Sequence, residues 1–446
     1  MRRRLALVAL LASLPLSASL IPAAVQAQAG SPAGAVPVAT LQARRAALFA
    51  RLGSGVAVLR SAEARSIEGD YPQDSDYRED NDFFYLTGLE EPGSWLVLIA
   101  SDTLPDQAIL YLPPRIPASE RWTGVKLGPG DSATALTGIV ETHAADSAQQ
   151  LIRRSVGRAR GGALYLKRGE RQGKDEFLRG LVFGGFGSAL TVKDLGAEIA
   201  ALRLVKDADE IRRMRGTINA TIDAHRDATR MLAPGMWEYQ LETIIEAAFH
   251  RNGAERVGFP SIVGSGPNSV TLHYDKSRRQ MQAGDLVVVD IGAEWGYYSA
   301  DVTRTYPVSG RYTPRQRAIY DLVLATQQNA IDSVRPGMTM MRLGQIAREY
   351  MKAHSGDLCG DGGDCNKYFF HGLSHWLGMD VHDVGVYSTP FVPGMILTVE
   401  PGIYIAEENL GVRIEDDVLV TATGHEVLSA GAMRDAAEIE RAMRRR

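Results

Sequence analysis

The feature that most restricts the fold of this chain is an internal repeat in its C-terminal half. Pro234-Gly235-Met236 precedes a helical pattern through Leu241, Ile244, Ile245 and Ala248, and Pro336-Gly337-Met338 precedes a like pattern through Met341, Leu343, Ile346 and Ala347. Further on, Ala283-Gly284 leads into a run ending Asp290-Ile291-Gly292, and Pro393-Gly394 into one ending Glu400-Pro401-Gly402. Two copies of a helix, helix, strand, strand unit follow, roughly a hundred residues each. With two copies the repeat predicts a pseudo-symmetric domain and no solenoid.

The rest of the 446 residues is organised around that domain. Met1-Arg2-Arg3-Arg4, an apolar stretch from Leu5 to about Leu20 and small residues through Ala27 have the form of a secretory signal peptide, residues 1–27, cut after Ala27 or Ala29. The expected location is therefore outside the cytoplasm, periplasmic or secreted. The stretch is too short for a membrane anchor, so no membrane partner is expected after cleavage. A Pro/Ala/Gly-rich leader covers 28–39. Residues 40–203 mix apolar runs such as 95–99 and 107–112 with helical segments, which predicts an α/β domain. Charged helical sequence beginning at Leu204-Val205-Lys206-Asp207 opens the second domain, 204–446. A formal charge of −4 argues against binding nucleic acid by charge alone. The two cysteines, Cys359 and Cys365, lie on one Gly-rich loop and are expected to pair in an oxidising compartment. Free thiols, or a calcium loop using Asp357, Asp361 and Asp364, are the alternatives.

The acids at the ends of the repeated runs carry the chemistry. If Trp295 and Gly296 form a two-residue loop, Asp290 sits opposite Asp301. A hairpin centred between Glu407 and Glu408 sets Glu400 opposite Glu415. Like charges opposed on a sheet are destabilising unless a cation compensates, so the same arrangement in both copies calls for metal. Four carboxylates and one imidazole carry −4, which two divalent ions balance, and oxygen-rich ligation favours Mn, Co, Mg or Zn. Two such ions can share a hydroxide that attacks a carbonyl. A fifth ligand is sought in the cluster His371, His375 and His382, three histidines within twelve residues; His273 is a fourth candidate. Each acid alone also reads as a solvated turn residue, and each histidine alone as surface or core.

In this order Asp290, Asp301, His375, Glu400 and Glu415 resemble the metal-ligand set of the creatinase/aminopeptidase family with its pita-bread fold. His371-Gly372-Leu373-Ser374-His375-Trp376-Leu377-Gly378 and Thr398-Val399-Glu400-Pro401-Gly402 are most similar to the aminopeptidase P branch, and residues 77–88 are similar to that branch's N-terminal domain. The resemblance implies a creatinase-like N-terminal α/β domain followed by a pita-bread catalytic domain, an α/β (α+β) architecture. It implies Asp290 on one metal, His375 and Glu400 on the other, and Asp301 and Glu415 bridging. It further implies two divalent ions, manganese first with cobalt or zinc as alternatives, and peptide substrates with proline second. Glu400 would handle the proton of the attacking hydroxide. His273 and His382 would contact substrate and stabilise the oxyanion, His371 would form part of the proline-side pocket, and Arg413 would orient bridging groups. Trp122 would wall the cleft, from its own or a neighbouring subunit, or be an ordinary buried tryptophan. A homodimer or homotetramer is expected.

Such an enzyme answers a chemical problem. An Xaa-Pro bond is a tertiary amide with no N–H and a fixed φ, which general peptidases handle poorly. A prolidase restricted to dipeptides would share all five ligands, and a non-catalytic pita-bread binding protein is the reading from another class.

Overall fold

The computed structural model describes residues 33–63, 77–158, 162–168, 175–183, 191–360 and 362–444. The expected signal peptide and the first residues of the leader lie outside them. The described part of the leader is packed down: Ala33 and Val36 are buried, and Arg212 and Arg213 donate to the carbonyls of Ala33 and Gly34.

Helix α1 (Val38–Leu52) starts two residues before the expected domain start and buries Leu41, Leu48 and Leu52. It packs beside a six-stranded sheet formed by β1 (Gly55–Arg60), β2 (Trp95–Ala100), β3 (Gln107–Leu112), β4 (Glu141–Ala144), β5 (Ala163–Leu166) and β6 (Thr191–Asp194), in the order β4-β3-β2-β1-β5-β6. The two apolar runs read as strands are β2 and β3. Both faces are covered, since Ala57, Leu59, Leu96 and Leu98 join one apolar cluster and Val56, Val58, Trp95 and Val97 another, as alternation along a two-sided strand requires. Helix α2 (Asn81–Thr87) is capped by Asp80, whose carboxylate accepts from the Asp82 and Phe83 amides.

After α3 (Leu195–Arg203), a capping box between Asp207 and Glu210 starts the long α4 (Ala208–Met231). The repeat appears as two matching helix starts, α5 (Glu238–Arg251) and α7 (Met340–His354), with α6 (Pro314–Ile331) between them. Gly235 and Gly337 both take φ 84°, a conformation that favours glycine. In one copy the Gly235 amide bonds to Met281 O and the Met281 amide to Met236 O; in the other Gly337 bonds to Phe391 O and Phe391 to Met338 O.

The strands of this half are β7 (Arg256–Val257), β8 (Ile262–Ser265), β9 (Leu286–Ile291), β10 (Ala293–Trp295), β11 (Tyr298–Ser299), β12 (Val302–Pro307), β13 (Ile396–Val399), β14 (Gly402–Ile405), β15 (Leu410–Arg413), β16 (Asp416–Val420) and β17 (His425–Val427). They form the sheets β12-β9-β8, β11-β10-β7, β13-β16-β17 and β14-β15. The first hairpin corrects the expected register. Its turn is Gly296-Tyr297, with φ 59° and 73°, so Trp295 pairs with Tyr298 and Asp290 lies opposite Thr303 instead of Asp301. Two consecutive positive φ values define the turn that matches strand twist. The error is two residues, so Asp301 keeps the face it was assigned. The second hairpin has the expected register: Val399 pairs with Asp416 and Gly402 with Arg413, setting Glu400 opposite Glu415. Cys359 and Cys365 form a disulfide and are both buried.

Candidate metal centre

Five elements deliver the predicted ligands to one place. Asp290 is the last residue but one of β9, Asp301 precedes β12, Glu400 follows β13, and Glu415 sits between β15 and β16. His375 lies on the segment that runs beside β13, where its amide bonds to Thr398 Oγ1 and the Thr398 amide to its carbonyl. The His375 ring donates from Nδ1 to Trp376 O at 3.1 Å, because a carbonyl can only accept. That fixes the tautomer and leaves the Nε2 lone pair facing the acids: Asp301 Oδ2 at 3.3 Å, Glu400 Oε1 at 3.5 Å and Glu415 Oε1 at 4.0 Å.

Four acids this close cannot share a buried site comfortably. Burial pushes Asp301 and Glu415 well above the usual carboxylate range, and the neighbouring acids push them further. Glu400, 17% exposed, is raised chiefly by burial. Burial also pushes Asp290 up, but the charge and hydrogen bond of the Arg413 guanidinium work against it, and Asp290 is held below its ordinary value. Arg413 Nη2 lies 2.6 Å from Asp290 Oδ2.

The donor set fits divalent cations. Asp290 Oδ1, Asp301 Oδ1 and Glu415 Oε1 are buried acceptors with no hydrogen-bond partner. Buried polar atoms are normally satisfied, and a cation would satisfy all three. Asp301, His375 and Glu415 each offer a ligand atom within 4.8 Å of the other two. Four carboxylates and an imidazole Nε2 suit hard or borderline divalent ions.

The accessory residues divide. His371 Nδ1 bonds to Gly372 O, and Nε2 faces the Tyr404 hydroxyl at 2.9 Å; Arg413 Nη1 reaches the same hydroxyl at 2.9 Å. Burial, helped by Arg413, lowers His371 to about 4. His382 stacks edge-on against His375, ring centroids 4.3 Å apart, and is lowered by burial and by the charges of His375 and His273. His273 is exposed, on a loop whose Leu272 carbonyl accepts from Arg413 Nη2. All the predicted site residues from the catalytic domain thus converge. Trp122 is not a buried tryptophan: it is 90% exposed, over an open depression of about 620 Å³ lined by Pro117, Ala118 and Arg121. Sequence reading missed Thr303 and Tyr404. The first follows Asp301 by two residues on the same strand face, a signal that was there; nothing in the sequence marks Tyr404.

Comparison with known proteins agrees with this geometry. The model of Metallopeptidase family M24 matches residues 212–422, and that of the aminopeptidase P N-terminal domain matches 41–165. The Xaa-Pro aminopeptidase of Escherichia coli is 37% identical over 434 residues, covering 90% of this chain and 97% of its own. The chain belongs to the M24 metallopeptidases. Within the M24 family, human Xaa-Pro aminopeptidase 3 is 33% identical, covering 82% of this chain and 76% of its own. Among solved M24 structures, proline aminopeptidase P II from Yersinia pestis superposes with a TM-score of 0.83 at 34% identity, covering 92% of this chain and 100% of that one. A substrate complex of an Escherichia coli aminopeptidase P variant gives 0.83 at 36% identity, covering 92% and 99%.

Proposed function

We propose that this M24 protein is a dimetal aminopeptidase that releases the N-terminal residue from peptides with proline in second position. The observation that carries the reading is identity of 37% to a full-length Xaa-Pro aminopeptidase, running through both domains. Asp290 would hold one ion, His375 and Glu400 the other, and Asp301 and Glu415 both. When bound, two divalent ions polarise the scissile carbonyl and lower the pKa of the attacking water.

The chain's own residues do the rest. Arg413 keeps Asp290 ionised, and the Nδ1–H bond of His375 aims its Nε2. Glu400, raised and 17% exposed, takes the proton of the attacking water and passes it to the leaving proline nitrogen. His382 and His273 contact substrate and donate to the developing oxyanion; burial keeps His382 neutral, and a neutral imidazole retains one N–H to give. His371, held neutral, borders the proline ring.

The finer assignments have their own support. Manganese is our choice of metal on the oxygen-rich donor set, while a zinc-substituted product complex of the Escherichia coli enzyme argues that zinc is also accommodated in the family. The Cys359–Cys365 disulfide and the form of residues 1–27 support export. The exposed Trp122 ring supports self-association as a dimer or tetramer, to be measured by sedimentation. Matches at 41–165 and 212–422 support domains at 40–203 and 204–446.

The test is hydrolysis of an Xaa-Pro dipeptide and an Xaa-Pro-Xaa-Xaa tetrapeptide, with manganese and with a chelator. Manganese-dependent release of the first residue from the tetrapeptide is expected. Cleavage of the dipeptide alone would make the protein a prolidase, and cleavage of neither across several metals would leave a binding protein.

A further inference from the structure

The two copies of the repeat differ at the first residue of their second helix. Counting from the matching Pro-Gly-Met triplets, Glu238 of α5 corresponds to Met340 of α7. Both are buried, but Met340 joins the apolar core, whereas Glu238 is 0% exposed and carries a carboxylate. A buried carboxylate is costly unless every lone pair is engaged.

This one is engaged by a single loop. Glu238 Oε1 accepts from the Ser265 amide at 2.8 Å, from Ser265 Oγ at 2.7 Å and from Asn268 Nδ2 at 3.1 Å. Its Oε2 accepts from the Tyr274 hydroxyl at 2.8 Å and from the Arg279 amide at 2.9 Å. The backbone adds two bonds, from the Glu238 amide to Arg279 O and from the Tyr239 amide to Ser277 O. His273 lies between these anchor points, beside Tyr274.

We propose that Glu238 is a positioning residue that sets His273 over the metal centre by holding both ends of the 265–279 segment. The inference rests on the role given to His273 above. Charge-assisted bonds to a rigid helix start are stronger than neutral ones, and they act on both sides of His273, while the bond from Arg413 Nη2 to Leu272 O holds the middle of the segment at 3.3 Å. Glutamine in place of Glu238 would keep the shape but turn an amide NH2 toward the Tyr274 hydroxyl and the Arg279 amide.

The test is a double-mutant cycle on the manganese-loaded protein, reading kcat/KM for the tetrapeptide. Glu238→Gln is expected to lose about ten- to a hundredfold in the wild-type background, the scale of a misplaced group. It is expected to lose nothing further in a His273→Ala background. Equal losses in both backgrounds would overturn the proposal, because Glu238 would then act on the fold at large. Full activity in His273→Ala would overturn it as well, while leaving the hydrolase reading intact. A wild-type protein that leaves the tetrapeptide uncut would instead sink the hydrolase reading. Amide exchange decides the anchor independently of activity. In Glu238→Gln and, more weakly, in Tyr274→Phe, peptides covering 271–279 should exchange faster while those of β9 and β12 do not change. Unchanged exchange over 271–279 would remove Glu238 as the anchor.

Discussion

Thr303 Oγ1 donates to Glu415 Oε2 at 2.6 Å, and the Glu415 amide donates to Thr303 O at 3.1 Å, so one residue of the first copy holds an acid of the second. Thr303 is also the residue opposite Asp290, and its hydroxyl lies 3.3 Å from Arg413 Nε. The hydroxyl therefore orients the Glu415 carboxylate from behind. Thr303→Val keeps the β-branched shape and removes the donor. Loss of such an outer partner costs about 10- to 100-fold in metal affinity, so manganese titration should show a weakened site and Thr303→Ser should restore it. Wild-type affinity in the valine variant would mean that Glu415 needs no such support.

Asp301→Ala and Glu415→Ala should each abolish peptide hydrolysis, because each removes an acid that would bridge the two ions in the proposed centre. Burial and like charge raise both carboxyls, so in chelated protein the acids oppose folding. Asp301→Asn should then be inactive yet at least as resistant to denaturant as the chelated wild type. Full activity in either alanine variant would sink the dimetal centre.

How much of this was legible follows from which interactions are local. The repeat was visible because a positive-φ glycine after proline is a local demand, met at both Gly235 and Gly337. The second hairpin could be registered from its ends. The first could not, because Tyr297 takes a positive φ that no rule assigns to tyrosine; its ring stacks on Phe84 at 3.7 Å and its hydroxyl accepts from the Glu79 amide. Contacts from the N-terminal domain select that turn, and a local pattern does not contain them. Tyr404 and Glu238 escaped for the same reason, since His371, which faces the Tyr404 hydroxyl, and the partners of Glu238 lie on other segments. Even so, both histidine loops turn out to be pinned by a buried acid: the His273 loop by Glu238, and the His382 loop by Asp383, which bonds to Arg203 and Lys206.

His225 gives a pH signature. Its ring is buried between the Tyr306 hydroxyl and Val302 O, and burial, with the Arg304 charge adding to it, lowers it to about 3. The unfolded chain binds a proton near the ordinary value and the folded chain does not. Stability from His225 is therefore complete above about pH 6.5 and is lost as pH falls toward 3. Glu79 and Glu210, both raised to about 7 by burial, slope the other way, so the difference between variants is the clean measurement. Against a His225→Gln variant, the stability advantage of the wild type should shrink steadily from pH 7 to pH 4. A constant difference would show that the fold leaves the proton affinity of His225 as it is in the unfolded chain.

The disulfide and His371 are close in sequence but are held by different things. Closing the loop between Cys359 and Cys365 is worth about 2 kcal/mol by chain entropy. His371 is six residues beyond Cys365, and its main chain is fixed by Arg348, which donates to Phe369 O at 2.8 Å and His371 O at 3.0 Å and lies over the Phe369 ring. Its side chain is fixed by Tyr404. The double variant Cys359→Ser, Cys365→Ser should therefore lose about 2 kcal/mol in denaturant titration while kcat/KM for the tetrapeptide stays within about twofold. Arg348→Ala should do the reverse, with a larger fall in kcat/KM than the double serine variant shows. A double serine variant that stays folded but loses activity as Arg348→Ala does would place the disulfide, and not Arg348, in charge of His371.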